Sequence, residues 1–441
     1  VARPYAVTEP ATRQVLELFA PATDARVQSA LSTADKLFAD WRAVPVTERA
    51  AVLRRIARAF AGHAEELAAT MALEMGKTHA EGLEEADSCR EIFEYYATEG
   101  PGLLADEPLP TPGAVLQKRP IGALLGIMPW NFPCYQVARF AAPNLMAGNA
   151  IVLKHAESVP RSALALERLI TDACAPYVNL FATHPQVETI IADPRIQGVS
   201  FTGSERAGSA VAALAGQHLK KCVLELGGSD PFVVLDTDDV EALAATAWSF
   251  RMYNKGQACN SNKRIIVLAG HYDAFVTALV ARAEEQTPPG PLASRAAAET
   301  VAALVDDAVA RGATLHTGGV LGPGAFYSPT VLTGVTDQMR AFHEELFGPV
   351  AVVYRVGSEQ EAVDLANRSA FGLGASVFSA DPARAARVAD LLDAGMVNVN
   401  TPAATSAALP FGGTKRSGFG RELGPLGITE FVNQRLFFTA G

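Results

Sequence analysis

Apolar positions at Val52, Leu53, Ile56, Ala59 and Phe60 recur at the interval of one helix face, and residues 24–79 read as helices. Residues 103–112, rich in proline and leucine, predict an extended connector. Residues 121–128 form an unbroken apolar run ended by Pro129, the pattern of a strand buried on both faces. From there the pattern alternates: strands at 150–153, 198–201, 222–226 and 232–235, helices at 162–174 and 204–214. Such alternation predicts an α/β fold with a doubly wound parallel sheet. It then begins again, with strands at 264–268, 350–355 and 375–378 and helices at 272–285, 296–311, 359–367 and 382–392, which predicts a second α/β unit. Residues 430–439 alternate loosely, with Phe431, Leu436 and Phe437 apolar, and predict an end that docks on another surface.

Length supports the division: 441 residues exceed one ordinary core. With 37 basic against 47 acidic residues the net charge is −10, which argues against a nucleic-acid partner. No apolar run is long enough to cross a bilayer, and residues 1–10 lack the basic start and apolar stretch of a signal peptide. Cys89, Cys134, Cys174, Cys222 and Cys259 are five, scattered and without a CxxC pair. That pattern is neither a disulfide framework nor a metal site, and points to reduced thiols in the cytoplasm.

Four short stretches carry candidate chemistry. In Gly256-Gln257-Ala258-Cys259 a thiol follows a glycine turn, where a thiolate could attack; the blander reading is a small buried hydrophobe. In Glu225-Leu226-Gly227-Gly228 a carboxylate ends a buried strand, at the edge where α/β ligands gather; an ion-pair partner would look the same. In Pro129-Trp130-Asn131-Phe132-Pro133 an amide is held between prolines, either as an oxyanion donor or as a turn residue. In Phe201-Thr202-Gly203-Ser204 through Gly208 a strand, a turn and a helix start form an anion site of backbone N–H groups. Its GxxxxG spacing is neither the dinucleotide fingerprint nor a P-loop.

These four occur in order with Glu345-Leu346-Phe347-Gly348-Pro349 and with Pro410-Phe411-Gly412-Gly413, Lys415, Ser417 and Gly418. Together they resemble the aldehyde dehydrogenase superfamily along nearly the whole chain, with the nearest likeness to short succinate-semialdehyde dehydrogenase-like members. The resemblance implies that Cys259 is the nucleophile, that Asn131 and the Cys259 amide hold the oxyanion, and that Glu225 activates water for thioester hydrolysis. It implies cofactor contacts from Trp130, Lys154, Glu157, Gly203, Ser204, Leu226, Glu345 and Phe347. Glu157 would accept a ribose 2′-hydroxyl and repel a 2′-phosphate, so NAD is expected in preference to NADP, with NADP possible.

A distal carboxylate on the substrate would need a cation, and Arg139 matches a carboxylate-binding arginine of that family. On a helix it would share a face with Tyr135, four residues earlier. A second arginine that such enzymes often carry is replaced here by Tyr253, with Arg251 two positions before it. Residues 401–409 are small and apolar and offer Thr405 and Ser406; Ser406 is the expected contact, beside Tyr253. Succinate semialdehyde is the expected substrate; another aliphatic or aromatic aldehyde is the alternative, and an inactive binding homologue a further one. The implied architecture is two doubly wound parallel-sheet domains, a Rossmann-like cofactor domain (1–103 and 119–225) and a catalytic domain (226–421). A small β oligomerisation appendage (104–118 and 422–441) completes it and implies a homodimer or homotetramer. Two segments are shorter than the family pattern, at 174–178 and 286–292.

Overall fold

The computed structural model describes residues 4–286 and 290–440. Two large sheets organise it. The first has the order Gly418–Phe419, Lys221–Glu225, Ile196–Thr202, Ala123–Met128, Ala150–His155, Tyr177–Asn179, all parallel except Gly418–Phe419. Every residue of Ala123–Met128 and Ala150–His155 is buried, as expected for central parallel strands covered on both faces. Helices Val46–Gly62, Tyr135–Ala147 and Pro160–Asp172 pack on one face and Asp24–Trp41, His184–Ala192 and Glu205–Gln217 on the other.

The second sheet runs Thr314–Thr317, Thr330–Thr333, Val350–Val356, Arg264–Leu268, Pro231–Val234, Gly374–Phe378, Met396–Val399. Only Thr314–Thr317 is antiparallel. Helices Arg295–Ala310, Glu359–Asn367 and Pro382–Ala389 cover one face, Val240–Met252 and Ala269–Glu285 the other. Both units are therefore doubly wound.

Expected elements and found ones agree to within a few residues, with informative exceptions. Thr314–Thr317 and Thr330–Thr333 carry no marked apolar run, and it is pairing in the sheet, the first at its edge and the second beside it, that makes them strands. Helix Tyr135–Ala147 is hidden in sequence by its conspicuous neighbour motif and by the internal Pro143. Gly418–Phe419, which follows the second sheet in sequence, crosses back to pair with Leu224–Glu225 and so stitches the two units together. Residues 173–176 turn through Cys174, at φ 67°, to reach the strand Tyr177–Asn179 directly. In the other short segment, residues 287–289 lie outside the described residues.

A third sheet pairs Val432–Phe438 with Ala114–Pro120 and Glu107–Pro108, all antiparallel. Leu436, Phe437 and Phe438 lie exposed on it.

Candidate active site

In the first sheet the register sets Met128 beside His155 and Thr202 beside Glu225, so these strand ends lie along one edge. The segments that follow them contain Trp130 and Asn131, Glu157, Gly203 and Ser204, and Leu226. In the second sheet, Cys259 and Glu345 precede the strands Arg264–Leu268 and Val350–Val356. The site is thus a crevice between the carboxyl edge of one parallel sheet and the amino edge of the other.

Local chemistry fixes each piece. His155 is fully buried, and burial pushes its pKa down to about 4, so it is neutral. Its Nε2 donates to Pro133 O at 2.8 Å while Nδ1 accepts from Ala156 N at 2.9 Å, bracing the loop that holds Asn131. Asn131 Nδ2 donates to Gln257 O at 3.0 Å, and Asn254 Nδ2 donates to Asn131 O at 2.9 Å. Asn254, Lys255 and Gly256 are all left-handed, at φ 47°, 58° and 76°. Such backbone is costly in non-glycine residues and persists only when its surroundings enforce it. Glu81 does so, accepting from Asn254 N and from Lys255 Nζ, each at 3.0 Å.

Arg251, two positions before Tyr253, is fully buried behind the cysteine loop. Its guanidinium donates to Gly256 O at 3.2 Å and Ser261 Oγ at 2.8 Å. It also donates to Val350 O at 2.7 Å, Leu346 O at 2.6 Å and Gly348 O. Burial without a paired carboxylate pushes its pKa down to about 9.

Cys259 borders two cavities. One, about 890 Å³, is lined by Phe132, Tyr135, Arg139, Tyr253, Thr405 and Phe411 among others. The other, about 270 Å³, is lined by Trp130, Asn131, Thr202, Gly203, Ser204, Leu226, Glu345 and Phe347 among others. Cys259 and Gln136 are common to both. The smaller cavity has aromatic walls, with Trp130 and Phe347 edge to face at 5.8 Å. It meets the amino end of helix Glu205–Gln217, whose cap is Ser204, and it contains the buried Thr202 Oγ1, which has no hydrogen-bond partner among the described residues. Free helix-end N–H groups and an orphaned hydroxyl fit the anionic, hydroxyl-rich chain of a dinucleotide. Lys154 and Glu157 stand apart from this cavity, paired at the end of Ala150–His155, with Tyr5 beside Lys154 and His184 Nε2 3.5 Å from Glu157.

Of the expected substrate contacts, Tyr135, Arg139 and Tyr253 line the larger cavity. Ser406 is a correction: it is exposed and absent from that lining, because its hydroxyl turns back to accept from Ala408 N at 3.1 Å. Thr405 takes its place. Arg139 is buried with Nε 2.7 Å from Glu422 Oε2, and lies over the Phe411 ring at 4.2 Å. Its Nη2 and the Tyr135 hydroxyl have no hydrogen-bond partner among the described residues. Glu85 accepts from Cys134 N and Tyr135 N at 2.8 and 2.9 Å and pairs with buried Lys77, anchoring the start of helix Tyr135–Ala147.

Glu225 lines neither of these cavities. Its carboxylate is buried with no hydrogen-bond partner among the described residues, next to Gly412, where a Cβ would stand 2.8 Å from Oε1. Burial pushes its pKa well up; Arg139 opposes this and Glu422 reinforces it. The Cys259 thiol is pushed up to about 12, again by burial, against the pull of Arg139 and Lys263. Gln136, Glu85 and Lys263 belong to no patterned motif, so nothing along the chain marks them.

Known proteins resemble this chain along nearly its whole length. The model of the aldehyde dehydrogenase family matches residues 2–437. A succinate-semialdehyde dehydrogenase [NADP(+)] of Deinococcus radiodurans is 50% identical over 98% of this chain and 94% of its own. One of Mycolicibacterium paratuberculosis is 43% identical over 98% and 96%. The crystal structure of succinic semialdehyde dehydrogenase from Streptococcus pyogenes in complex with NADP+ is 39% identical, with a TM-score of 0.96 over 99% of this chain and 100% of that one.

Arg251→Met would strand several buried carbonyls, each worth about 1–3 kcal/mol. A fall in the urea midpoint equivalent to at least about 3 kcal/mol is expected, together with lost turnover. An unchanged midpoint would show that the arginine does not hold the loop.

Proposed function

The chain belongs to the aldehyde dehydrogenase family, and on that premise we propose that it oxidises a short aldehyde bearing a distal carboxylate, succinate semialdehyde, to the dicarboxylate with NAD(P). One observation carries the substrate: Arg139 Nη2 and the Tyr135 hydroxyl lack partners among the described residues, in the same cavity as Cys259. A carboxylate would accept from both, and charge-assisted hydrogen bonds of this kind are the strong ones. Three acidic side chains also line that cavity and do not cancel this. Glu85 is engaged by Lys77 and two amides, Asp87 pairs with Arg90, and Glu84 is exposed, where water screens its charge. The names of the relatives point to the same substrate.

Cys259 adds through sulfur to the aldehyde carbon, and the developing oxyanion is received by the Asn131 amide and the Cys259 N–H. The dinucleotide, when bound, supplies the hydride acceptor. Trp130, Gly203, Ser204, Leu226, Glu345 and Phe347 are the residues that would hold it. The resulting thioester is hydrolysed by water that gives its proton to Glu225. Glu225 has to turn from its place beside Gly412 to do so; two carboxylate oxygens without partners make that turn cheap, since no hydrogen bond is broken.

The relatives are named for NADP(+), which gives the NAD preference expected from Glu157 no support. The preference rests on Glu157 alone. Burial would raise its pKa, but Lys154 prevails and holds it below the usual range, so the carboxylate is charged when a 2′-phosphate approaches. We also infer that Val432–Phe438 joins subunits of a homo-oligomer, since Leu436, Phe437 and Phe438 are exposed along it.

Succinate semialdehyde and butanal separate the substrate readings. Arg139→Ala is expected to lower kcat/KM for the semialdehyde by about 10- to 100-fold and to change that for butanal little. Equal losses, or better use of butanal by the wild type, would remove the carboxylate from the account. Glu225→Gln should give a single burst of reduced cofactor at 340 nm without steady turnover; undiminished turnover would assign the base elsewhere. Glu157→Ser is expected to raise the ratio of kcat/KM with NADP to that with NAD by about tenfold, as a charge beside the 2′-phosphate is removed. An unmoved ratio would end Glu157's role in selection.

A further inference from the structure

Lys263 has a fully buried ammonium set against the backbone of the nucleophile and the carboxylate of Glu345. It donates hydrogen bonds to two carbonyls and forms an ion pair with one carboxylate. Nζ lies 2.8 Å from Ala258 O, 2.7 Å from Cys259 O and 3.1 Å from Glu345 Oε1. Glu345 Oε1 also accepts from Gly228 N at 3.1 Å. The Cys259 carbonyl has little other freedom, since a Cβ on Gly228 would stand 2.5 Å from its oxygen.

The first of these bonds has a geometric effect. Ala258 O and the Cys259 N–H belong to one planar trans peptide and point in opposite directions. An ammonium that fixes the carbonyl on one side therefore aims the N–H at the other. That N–H is the second oxyanion donor in the function proposed above, and the inference rests on that reading.

The second effect is electrostatic. The charged groups that act on the Cys259 thiol are Arg139 and Lys263, which favour the thiolate, and Glu225 and Glu345, which oppose it. Lys263 itself faces Glu345 and the buried Asp230. Glu345 thus offsets part of the ammonium's charge.

We propose that Lys263 is a positioning residue that aims the Cys259 amide at the oxyanion and couples the charge of Glu345 to the readiness of the thiol. When Glu345 turns to accept ribose hydroxyls, the ammonium keeps its two carbonyls and loses its counter-charge. The thiolate is then favoured at the moment the hydride acceptor is in place.

The test is the rate of iodoacetamide alkylation at Cys259, read by peptide mass spectrometry so that the exposed Cys174 does not interfere, on the cofactor-free enzyme. The pH profile is read above pH 8, clear of Asp230, whose pKa burial pushes up to about 7. Lys263→Met is expected to slow alkylation about tenfold at a given pH, equivalent to about one pKa unit, and Lys263→Arg to restore most of it. Glu345→Gln is expected to shift the profile the other way, with faster alkylation, and serves if the methionine variant fails to fold. Folded Lys263→Met with the wild-type profile, or Glu345→Gln with slowed or unaltered alkylation, would overturn the proposal. Cys259→Ala keeps the two readings distinct. If it retained turnover, the function proposed above would fail, while the alkylation profiles would still report on the coupling.

Discussion

The guanidinium of Arg251 is the constraint on which the site depends. One buried side chain binds the carbonyls of Gly256, Leu346, Gly348 and Val350 and the hydroxyl of Ser261. The first and last of these belong to the cysteine loop, the others to the segment that carries Glu345 and Phe347. Two loops that approach the crevice from separate parts of the chain are thereby held as one body. Arginine suits the task because its planar fork presents five donors in fixed directions. The strained turn at residues 254–256 is held from the opposite side by Glu81, so the nucleophile loop is clamped between two charged groups that do no chemistry themselves.

The sheets explain why a site forms there at all. A parallel sheet leaves loops of one kind at each edge, and the carboxyl edge is where helix amino ends and free N–H groups gather. Here that edge meets the amino edge of a second parallel sheet. Ser417 ties the junction: its backbone carbonyl accepts from Leu226 N at 3.0 Å, and its hydroxyl donates to Gly227 O at 2.7 Å and accepts from Gly372 N at 3.0 Å. Cys259 stands at the meeting of the two cavities and borders both.

Charge is handled by pairing in places where water is excluded. Arg139 is matched by Glu422, Lys77 by Glu85 and Lys263 by Glu345, and the first pair leaves Arg139 Nη2 without a hydrogen bond among the described residues. Arg251 has no carboxylate partner and is met by carbonyls and a hydroxyl instead, whereas Glu225 is a buried carboxylate without a hydrogen bond among the described residues. Such a group is costly where it sits, which is a physical reason for it to move.

The sequence by itself determined the α/β alternation, the place of each motif at a strand end, and the family. These are local properties: apolar period, proline and glycine at turns, and short runs such as Pro129 to Pro133 whose chemistry needs adjacent residues. It did not place the strands Thr314–Thr317 and Thr330–Thr333, because four mixed residues become a strand only beside a neighbour. Only the tertiary structure decided which polar groups meet. Ser406 gave way to Thr405 because its own turn captured the hydroxyl, and Arg251 proved to be a brace because its partners lie as far as 99 residues away. Lys263 and Gln136 became visible only once Cys259, Glu345 and the two cavities were brought together. Long polar side chains bind backbone atoms distant in sequence, and no periodicity along the chain records where those atoms will be.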